Sequence, residues 1–188
     1  MRNRITDRSD EELYLLILDK SSQSNNAFEE LYSRYSTNLY TYCFKILNDR
    51  QLANDIFQEA FIKLLETQKA TSNMTNIAAY LFRIARNLCL NEKQKKYHAF
   101  VTIEDLNLSI NEDIYEQKEQ TMIIESALDA LPPKFKEILI LKEYLDKSYQ
   151  EIADILEISV SSVRIRIYRA KERLRQILQP YFLENNQD

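Results

Sequence analysis

The stretch that decides the fold is SYQEIADILEISVSSVRIRIYRAK, which runs from Ser148 to Lys171. Ser148 is placed to cap a short helix that ends near Leu156, and Glu151 stands where a capping box requires a glutamate. After a short break, apolar residues recur at intervals of three or four, as on the buried face of a second helix. The stretch therefore predicts two helices joined by a tight turn, which is the geometry of a helix-turn-helix.

The second of these helices is strongly basic. From Val160 to Leu178 the chain carries five arginines and one lysine against one glutamate, although its formal net charge is −4. A helix-turn-helix seats its second helix in the DNA major groove, and guanidinium groups suit phosphate oxygens and guanine edges. A solvated basic face on an ordinary helix is the alternative. The pattern favours DNA binding through Ser161, Ser162, Arg164, Arg166, Arg169, Lys171 and Arg173.

The turn between the two helices lacks the residue that usually builds it. Glu157 stands where a left-handed backbone conformation is common and glycine is the easy choice. A glutamate in that conformation costs about 1 kcal/mol. We therefore expect the chain either to tolerate this cost or to build the turn differently.

Composition limits the fold class and the chemistry. The 188 residues include no glycine, which two-residue hairpins and nucleotide-cradling loops both need. Cys43 and Cys89 are expected to be buried free thiols, and a single histidine, His98, leaves no plausible metal cluster of histidines and cysteines. We therefore expect an all-α protein with no metal, no cofactor and no enzymatic activity.

Targeting signals are also absent from the sequence. The first twelve residues are charged and lack an apolar core, unlike a signal peptide. No apolar run approaches the length of a membrane span. A cytoplasmic protein without membrane insertion is the expectation.

The hydrophobic pattern predicts two small helical domains joined by an acidic flexible linker. Residues 1–96 form the N-terminal domain, and residues 121–188 form the C-terminal domain with the helix-turn-helix. The linker, 97–120, holds six acidic residues against one lysine and lacks helical periodicity, which indicates a mobile tether. Ser9 and Glu12 predict a capped first helix. Further helices are expected at about 27–47, 50–67, 76–96, 133–144, 148–156 and 159–178, with a helical segment from about 121.

A second basic surface lies on the predicted helix at 76–96. Its cations fall away from the buried stripe, and an asparagine among them can donate and accept at a base edge. A lysine-rich helix end is also electrostatically favourable by itself, so nucleic-acid contact and a purely structural role both stay open on periodicity alone. The candidates are Arg83, Arg86, Asn87, Lys93 and Lys95.

Three segments resemble the extracytoplasmic-function sigma factors of bacterial RNA polymerase. DRQLANDIFQEAF, at 49–61, is similar to the family's polymerase-binding helix. AYLFRIARNL, at 79–88, is similar to the helix that reads the melted minus-ten element. LDALPP at 128–133, with EIA at 151–153 and YRA at 168–170, resembles the domain that reads the minus-thirty-five element.

The resemblance implies a non-catalytic specificity subunit. It would bind the clamp helices of the largest polymerase subunit and the flap, bind promoter DNA, and be controlled by an anti-sigma factor. Its acidic linker would thread toward the active-site channel. The sequence departs from the family pattern at Asn54, Tyr80, Glu157, Ser161 and Ser162. The polymerase contacts implied are Gln51, Asn54, Asp55, Gln58 and Glu59.

The alternative function is a free-standing DNA-binding regulator in which residues 1–96 act as a sensor or dimerisation module. A simple dimeric repressor needs only one basic face. The two basic faces separated by a linker therefore favour the sigma factor.

Overall fold

A computed structural model of the chain describes residues 4–20, 22–67, 76–100 and 116–184, with side chains described at 4–20, 22–67, 76–95 and 121–181. These residues form eight α-helices and no strand, which confirms the all-α prediction. They fall into two compact units, one formed mainly by residues 1–98 and one mainly by residues 99–188. The helices are α1 (Asp10–Leu18), α2 (Ser24–Leu47), α3 (Arg50–Glu66), α4 (Ile77–Phe100), α5 (Glu116–Asp129), α6 (Pro133–Leu139), α7 (Tyr149–Leu156) and α8 (Val160–Glu184).

The first unit is built on α2, against which α1 and α3 pack. Helix α1 begins with the predicted capping box, because Ser9 Oγ accepts from the Glu12 amide at 3.2 Å and Glu12 accepts from the Ser9 amide at 2.9 Å. Asn48 ends α2 in a left-handed conformation, and Asp49 caps α3 through the Leu52 amide at 3.0 Å. The hydrophobic pattern of α3 predicts one inward face, and its six residues are all buried: Ala53, Ile56, Phe57, Ala60, Phe61 and Leu64.

Tyr14 ties α1 to the end of α3, a contact that the sequence pattern does not reveal. Its side chain is 2% exposed. Its hydroxyl lies 2.9 Å from the carbonyl oxygen of Leu64 and 3.0 Å from that of Thr67, so it satisfies carbonyls that the end of a helix leaves without partners. Burial, and then the neighbouring Tyr80, raise the pKa of this phenol.

In the second unit, α6 begins at Pro133 as expected but is shorter than predicted. The expected helix at 133–144 is α-helical only to Leu139, and a π-helical turn follows over Ile140–Tyr144. The four successive aliphatic residues Ile138, Leu139, Ile140 and Leu141 are all buried. Four residues in a row cannot share one face of an α-helix, so helical periodicity alone could not predict that all four are buried.

The helix-turn-helix is present with the predicted caps. Ser148 Oγ accepts from the Glu151 amide at 3.2 Å, and the Glu151 carboxylate accepts from the Ser148 amide at 2.8 Å. Burial opposes ionisation of Glu151, but hydrogen bonds from Ser148 and Lys147 outweigh it and lower the pKa of this carboxyl. Ser159 Oγ accepts from the Ser162 amide at 3.2 Å and so caps α8.

The ends of the linker differ from the prediction. Residues 97–100 continue α4 and residues 116–120 begin α5, so His98 belongs to a helix and not to a tether. Residues 116–120 are all glutamate, glutamine or lysine, which are good helix formers, and a helical segment that is polar on every side shows no apolar stripe. The acidic residues Glu104, Asp105, Glu112 and Asp113 lie outside the described residues.

Glu157 adopts the left-handed conformation, with φ 55° and ψ 45°. We expect Glu157→Gly to raise the free energy of unfolding by up to about 1 kcal/mol, because glycine has no Cβ to clash in this conformation. Thermal or urea denaturation would measure the change. Glu157→Ala is the matched control and should give little gain, since alanine keeps the Cβ. Equal gains from the two variants would contradict the explanation.

Candidate nucleic-acid interface

The basic residues of α8 lie in two rows, one on each side of its exposed face. Val163, Ile167 and Ala170 are at most 5% exposed and define the buried side. Successive residues are rotated by about 100° around a helix axis. The buried side therefore determines the direction in which each of the remaining side chains points. The first basic row is Arg164, Lys171 and Arg175, the second is Arg166, Arg169 and Arg173, and a central row of Ser161, Ile165 and Tyr168 lies between them.

Each member of the first basic row has a partner within the second unit. The Arg164 guanidinium lies 6.0 Å from the centroid of the Tyr149 ring. Lys171 Nζ lies 2.8 Å from Glu143 Oε1, and Arg175 pairs with Glu172 one turn earlier. These side chains are about half exposed or more, so the ion pairs are worth at most about 1 kcal/mol each and can give way to phosphate.

The second basic row is open to an anionic ligand. Arg169 and Arg173 are exposed, while Arg166 is half-buried. Arg173 donates to the Gln176 side-chain oxygen at 3.0 Å, and in the described part of the chain no member of this row takes part in an ion pair. Two strands of phosphates border a major groove, so two rows of cations suit a helix seated in it.

Serine hydroxyls form the N-terminal end of the exposed face. Ser159 Oγ lies 2.9 Å from Ser161 Oγ and 2.8 Å from Ser162 Oγ. Ser161 is exposed and Ser162 is half-buried. A hydroxyl can both donate and accept a hydrogen bond, whereas a guanidinium group can only donate. The serines therefore offer adaptable polar contacts, and Arg164 offers a contact to acceptors only.

Two large residues of the central row were missed by the sequence reasoning. Ile165 is 54% exposed and Tyr168 is 68% exposed, although both are large and largely apolar. The available signal was their place on the polar side of an amphipathic helix. Exposed apolar side chains between two rows of cations indicate a surface that a ligand covers.

An apolar groove of about 350 Å³ lies in the second unit beside the first basic row. Its rim includes Glu143, Lys171 and Arg175, so the groove and the basic face share charged residues. Tyr144 reaches the groove from the π-helical turn and is 38% exposed. The apolar lining is Ile124, Leu128, Leu139, Tyr144, Leu174 and Leu178.

We expect Glu143→Gln to strengthen DNA binding, because it releases Lys171 from its partner at 2.8 Å. One additional phosphate contact steepens the dependence of log affinity on log salt by about 0.9. Binding across a salt series would measure this change. In a Lys171→Gln background the same substitution should have no effect, and a persistent effect there would assign it to something other than the ion pair.

The predicted basic surface of α4 is only partly exposed. Asn87 and Lys95 are exposed, whereas Arg83, Arg86 and Lys93 are half-buried. The Arg83 guanidinium lies 5.9 Å from the Tyr80 ring centroid. Lys95 Nζ lies 2.5 Å from Glu92 Oε1, and this hydrogen bond raises the pKa of the ammonium group.

The hydrophobic pattern predicts that Tyr80, Leu81, Ile84, Ala85 and Leu88 form the inward stripe of α4, and two further residues are buried there. Phe82 and Cys89 are fully buried, and the Phe82 ring meets Tyr42 of α2 edge-on at 5.8 Å. Cys43 and Cys89 are both buried free thiols, as expected. This packing fixes α4 in the first unit, so its outward residues have a defined orientation.

The polar side of α3 is exposed along its whole length. The five implied polymerase contacts, Gln51, Asn54, Asp55, Gln58 and Glu59, are all exposed. Glu59 pairs with Lys63 at 3.4 Å. Ile62 and Leu65, which are 53% and 36% exposed, continue the same side toward the C-terminal end of α3. The sequence reasoning missed these two residues, although they break the polar pattern of that side.

Among the described residues, no group of three or more histidine, cysteine, aspartate or glutamate side chains could hold a metal ion. None of their helices is long and apolar enough to cross a membrane.

Comparison with protein families gives two separate matches. Residues 121–174 match the family described as Sigma-70, region 4, and residues 31–98 match Sigma-70 region 2. The first range includes α7 and most of α8, and the second includes α3 and most of α4.

Similar proteins match across both units. The RNA polymerase sigma-H factor of Pseudomonas aeruginosa is 30% identical over 176 residues, with 84% of this chain and 89% of the relative covered. The ECF RNA polymerase sigma factor SigW of Bacillus subtilis is 29% identical over 167 residues, covering 81% and 89%.

Two solved structures share the fold. CnrH in complex with the cytosolic domain of CnrY has a TM-score of 0.70 at 20% identity, covering 91% of this chain and 97% of that one. The sigma factor RpoE in complex with the anti-sigma factor NepR, from Bartonella quintana, has a TM-score of 0.60 at 20% identity, covering 90% and 96%.

Proposed function

The chain belongs to the extracytoplasmic-function sigma factors of bacterial RNA polymerase, and from that premise we propose which of its surfaces bind polymerase and which bind promoter DNA. As a sigma factor, the protein binds core RNA polymerase and directs promoter recognition and transcription initiation. The observation that carries this function is the presence of region 2 and region 4 in one chain. A regulator with a helix-turn-helix alone would bring only one of them.

Helix α8 is proposed to read the minus-thirty-five element. Its N-terminal residues Ser161, Ser162 and Arg164 would meet base edges, since a recognition helix enters the major groove by that end. Arg166, Arg169, Lys171 and Arg173 would meet phosphates on the two sides of the groove. The two basic rows support the phosphate contacts, because they lie on opposite sides of the exposed face.

The first unit is proposed to bind the polymerase and to contact the minus-ten element. The exposed side of α3, from Gln51 to Glu59, would dock on the clamp helices, with Ile62 and Leu65 as apolar contacts at its end. The proposed minus-ten contacts on α4 are Arg83, Arg86, Asn87, Lys93 and Lys95. The exposure of Asn87 and Lys95 supports their part in this set most directly. In this assignment residues 1–96 and 121–188 are the two functional domains.

The acidic segment between the units is proposed to act in initiation, because its charge suits a channel built for nucleic acid. Replacing Glu104, Asp105, Glu112 and Asp113 with serine and asparagine should leave polymerase binding nearly unchanged and reduce initiation. In vitro transcription and a core-binding assay on the same preparation measure the two effects. Transcription at the wild-type level would leave the segment as a tether only.

An anti-sigma factor is a proposed further partner. The two solved structures named above are both complexes, and one of them is by its own description a sigma factor with an anti-sigma factor. The apolar groove beside α8, with Ile124 and Tyr144 partly exposed, offers a surface for the apolar side chains of such a protein.

Sigma factors are initiation factors, and we assign no catalytic step to this chain. The phosphodiester chemistry belongs to the polymerase. The proposed place of action is the cytoplasm, where the polymerase works.

One experiment tests this function against a free-standing regulator. The purified protein, core polymerase and the two together are incubated with promoter DNA, and retarded complexes and run-off transcripts are measured. A sigma factor gives a specific complex and a transcript only with core polymerase. A specific complex with the protein alone, unchanged by core polymerase, would favour the regulator.

A further inference from the structure

The central row of α8 occupies the position from which base edges are contacted. The two basic rows lie on either side of it, and beyond Arg164 at the N-terminal end they are the part of the helix suited to phosphates. A helix with its side chains is about 10–12 Å across, close to the width of about 12 Å of the major groove. When both basic rows reach phosphates, the central row faces the floor of the groove.

Ile165 is the residue of this row whose chemistry is most restrictive. Its side chain has no polar atom, and it is 54% exposed on the side opposite Val163, Ile167 and Ala170. Serine and tyrosine, at Ser161 and Tyr168, can each make hydrogen bonds as well as apolar contacts. Isoleucine can make only apolar contacts.

Base pairs offer few apolar groups in the major groove. Adenine, guanine and cytosine present nitrogen and oxygen donors or acceptors there, and thymine adds a C5-methyl group. An isoleucine placed over a polar edge would remove that edge from water without replacing its hydrogen bonds, which is unfavourable. An isoleucine placed over a thymine methyl buries apolar surface on both sides.

We propose that Ile165 makes recognition of the minus-thirty-five element depend on a thymine methyl group. The inference deepens the proposed function and rests on it, because it requires α8 to be seated in the major groove. Ile165 is then a specificity-determining residue beside the arginines, which supply charge and guanine contacts. Tyr168 lies three residues further along, a rise of about 4.5 Å, and so faces the next base-pair step.

The test uses deoxyuridine, which keeps every hydrogen-bonding group of thymine and lacks only the methyl group. Holoenzyme first selects its minus-thirty-five element from a randomised library. Each thymine of the selected element is then replaced singly by deoxyuridine, and holoenzyme affinity is measured. For the wild type we expect one position to lose about fourfold in affinity, the value for one buried methyl group.

The Ile165→Ala variant should bind the thymine and deoxyuridine forms of that element equally, with its salt dependence unchanged. Ile165→Val, which keeps part of the apolar surface, should retain a smaller discrimination. Leu15→Ala is a matched control, because Leu15 is 61% exposed on α1 in the other unit, and it should discriminate like the wild type.

Two outcomes overturn the inference while leaving the proposed function in place. One is selective binding by the wild type to an element without a contacted thymine, or with deoxyuridine tolerated throughout. The other is a full methyl effect that persists in Ile165→Ala. Failure of wild-type holoenzyme to select any sequence in this region would instead remove the proposed role of α8, and the inference with it.

Discussion

The double substitution Asp55→Arg with Glu59→Arg is expected to abolish binding to core RNA polymerase and to leave the fold intact. Both side chains are exposed on α3, and each change replaces a negative charge with a positive one. Like charges opposed across an interface cost several kcal/mol, so we expect core affinity to fall by a factor of at least about 100. Co-purification with core polymerase and fluorescence anisotropy measure the loss.

The expected effect on stability is small. Glu59 pairs with Lys63 at 3.4 Å, and both side chains are nearly half exposed, so losing this pair costs less than about 1 kcal/mol. A matched control is Asp19→Arg with Glu29→Arg, which makes the same charge change at two exposed positions, one directly after α1 and one on α2. The control should bind polymerase normally. Undiminished binding by the α3 variant would show that its polar side is not the docking surface.

Arg164→Ala and Arg173→Ala are expected to weaken promoter binding in two different ways. Arg164 lies near the N-terminal end of α8 and is oriented by Tyr149 at 6.0 Å. Its loss should cost about 1–3 kcal/mol at the preferred promoter and relax the sequence preference at one position. Arg173 lies about two and a half turns further along, in the row suited to phosphate. Its loss should weaken all sequences about equally and lower the salt slope by about one.

Each of these two variants is the control for the other. Holoenzyme binding to matched and mutated minus-thirty-five elements, measured across a salt series, separates a base contact from a phosphate contact. Identical profiles would mean that α8 presents a uniform electrostatic surface. Base reading by the N-terminal end of the helix would then be wrong.

Local chemistry made the helix-turn-helix predictable from the sequence. The Ser148 and Glu151 capping box and the cap at Ser159 each depend on residues no more than three positions apart, so their pattern is readable directly. For the turn at Glu157 the sequence left two alternatives, a left-handed glutamate or a differently built turn, and the structure has the left-handed one. The break at Asn48 and Asp49 is equally local, because Asp49 caps α3 through the Leu52 amide.

Contacts between distant residues were not predictable in this way. Tyr14 reaches Leu64 and Thr67 across about fifty positions, and a single sequence carries no sign of such a pairing. The π-helical turn at Ile140–Tyr144 escaped because a continuous apolar run has no period to read. The groove beside α8 depends on residues from α5, α6, the π-helical turn and α8 together.

For α8 itself, the basic charge was predictable from the sequence, but the arrangement of the cations around the helix was not. Order along the chain separates only an N-terminal set from a later set. Angular position instead separates Arg164, Lys171 and Arg175 from Arg166, Arg169 and Arg173, with Ile165 and Tyr168 between the two groups. Only the burial of individual side chains shows which face of α8 points inward. Leu174 and Ile165 are both aliphatic, and only one of them faces inward.

The two basic rows of α8 sit on a chain whose formal net charge is −4. Charge is therefore unevenly distributed: α8 and α4 carry an excess of cations, and the rest of the chain carries the excess of negative charge. Approach to DNA by a surface other than these two helices is discouraged at ranges up to about 10 Å, the screening length in 0.1 M salt. Non-specific attachment to nucleic acid grows with the number of phosphates neutralised, so the acidic remainder keeps free copies from accumulating along the chromosome. The pool stays available for polymerase, and contact with promoter DNA is directed to the two basic helices.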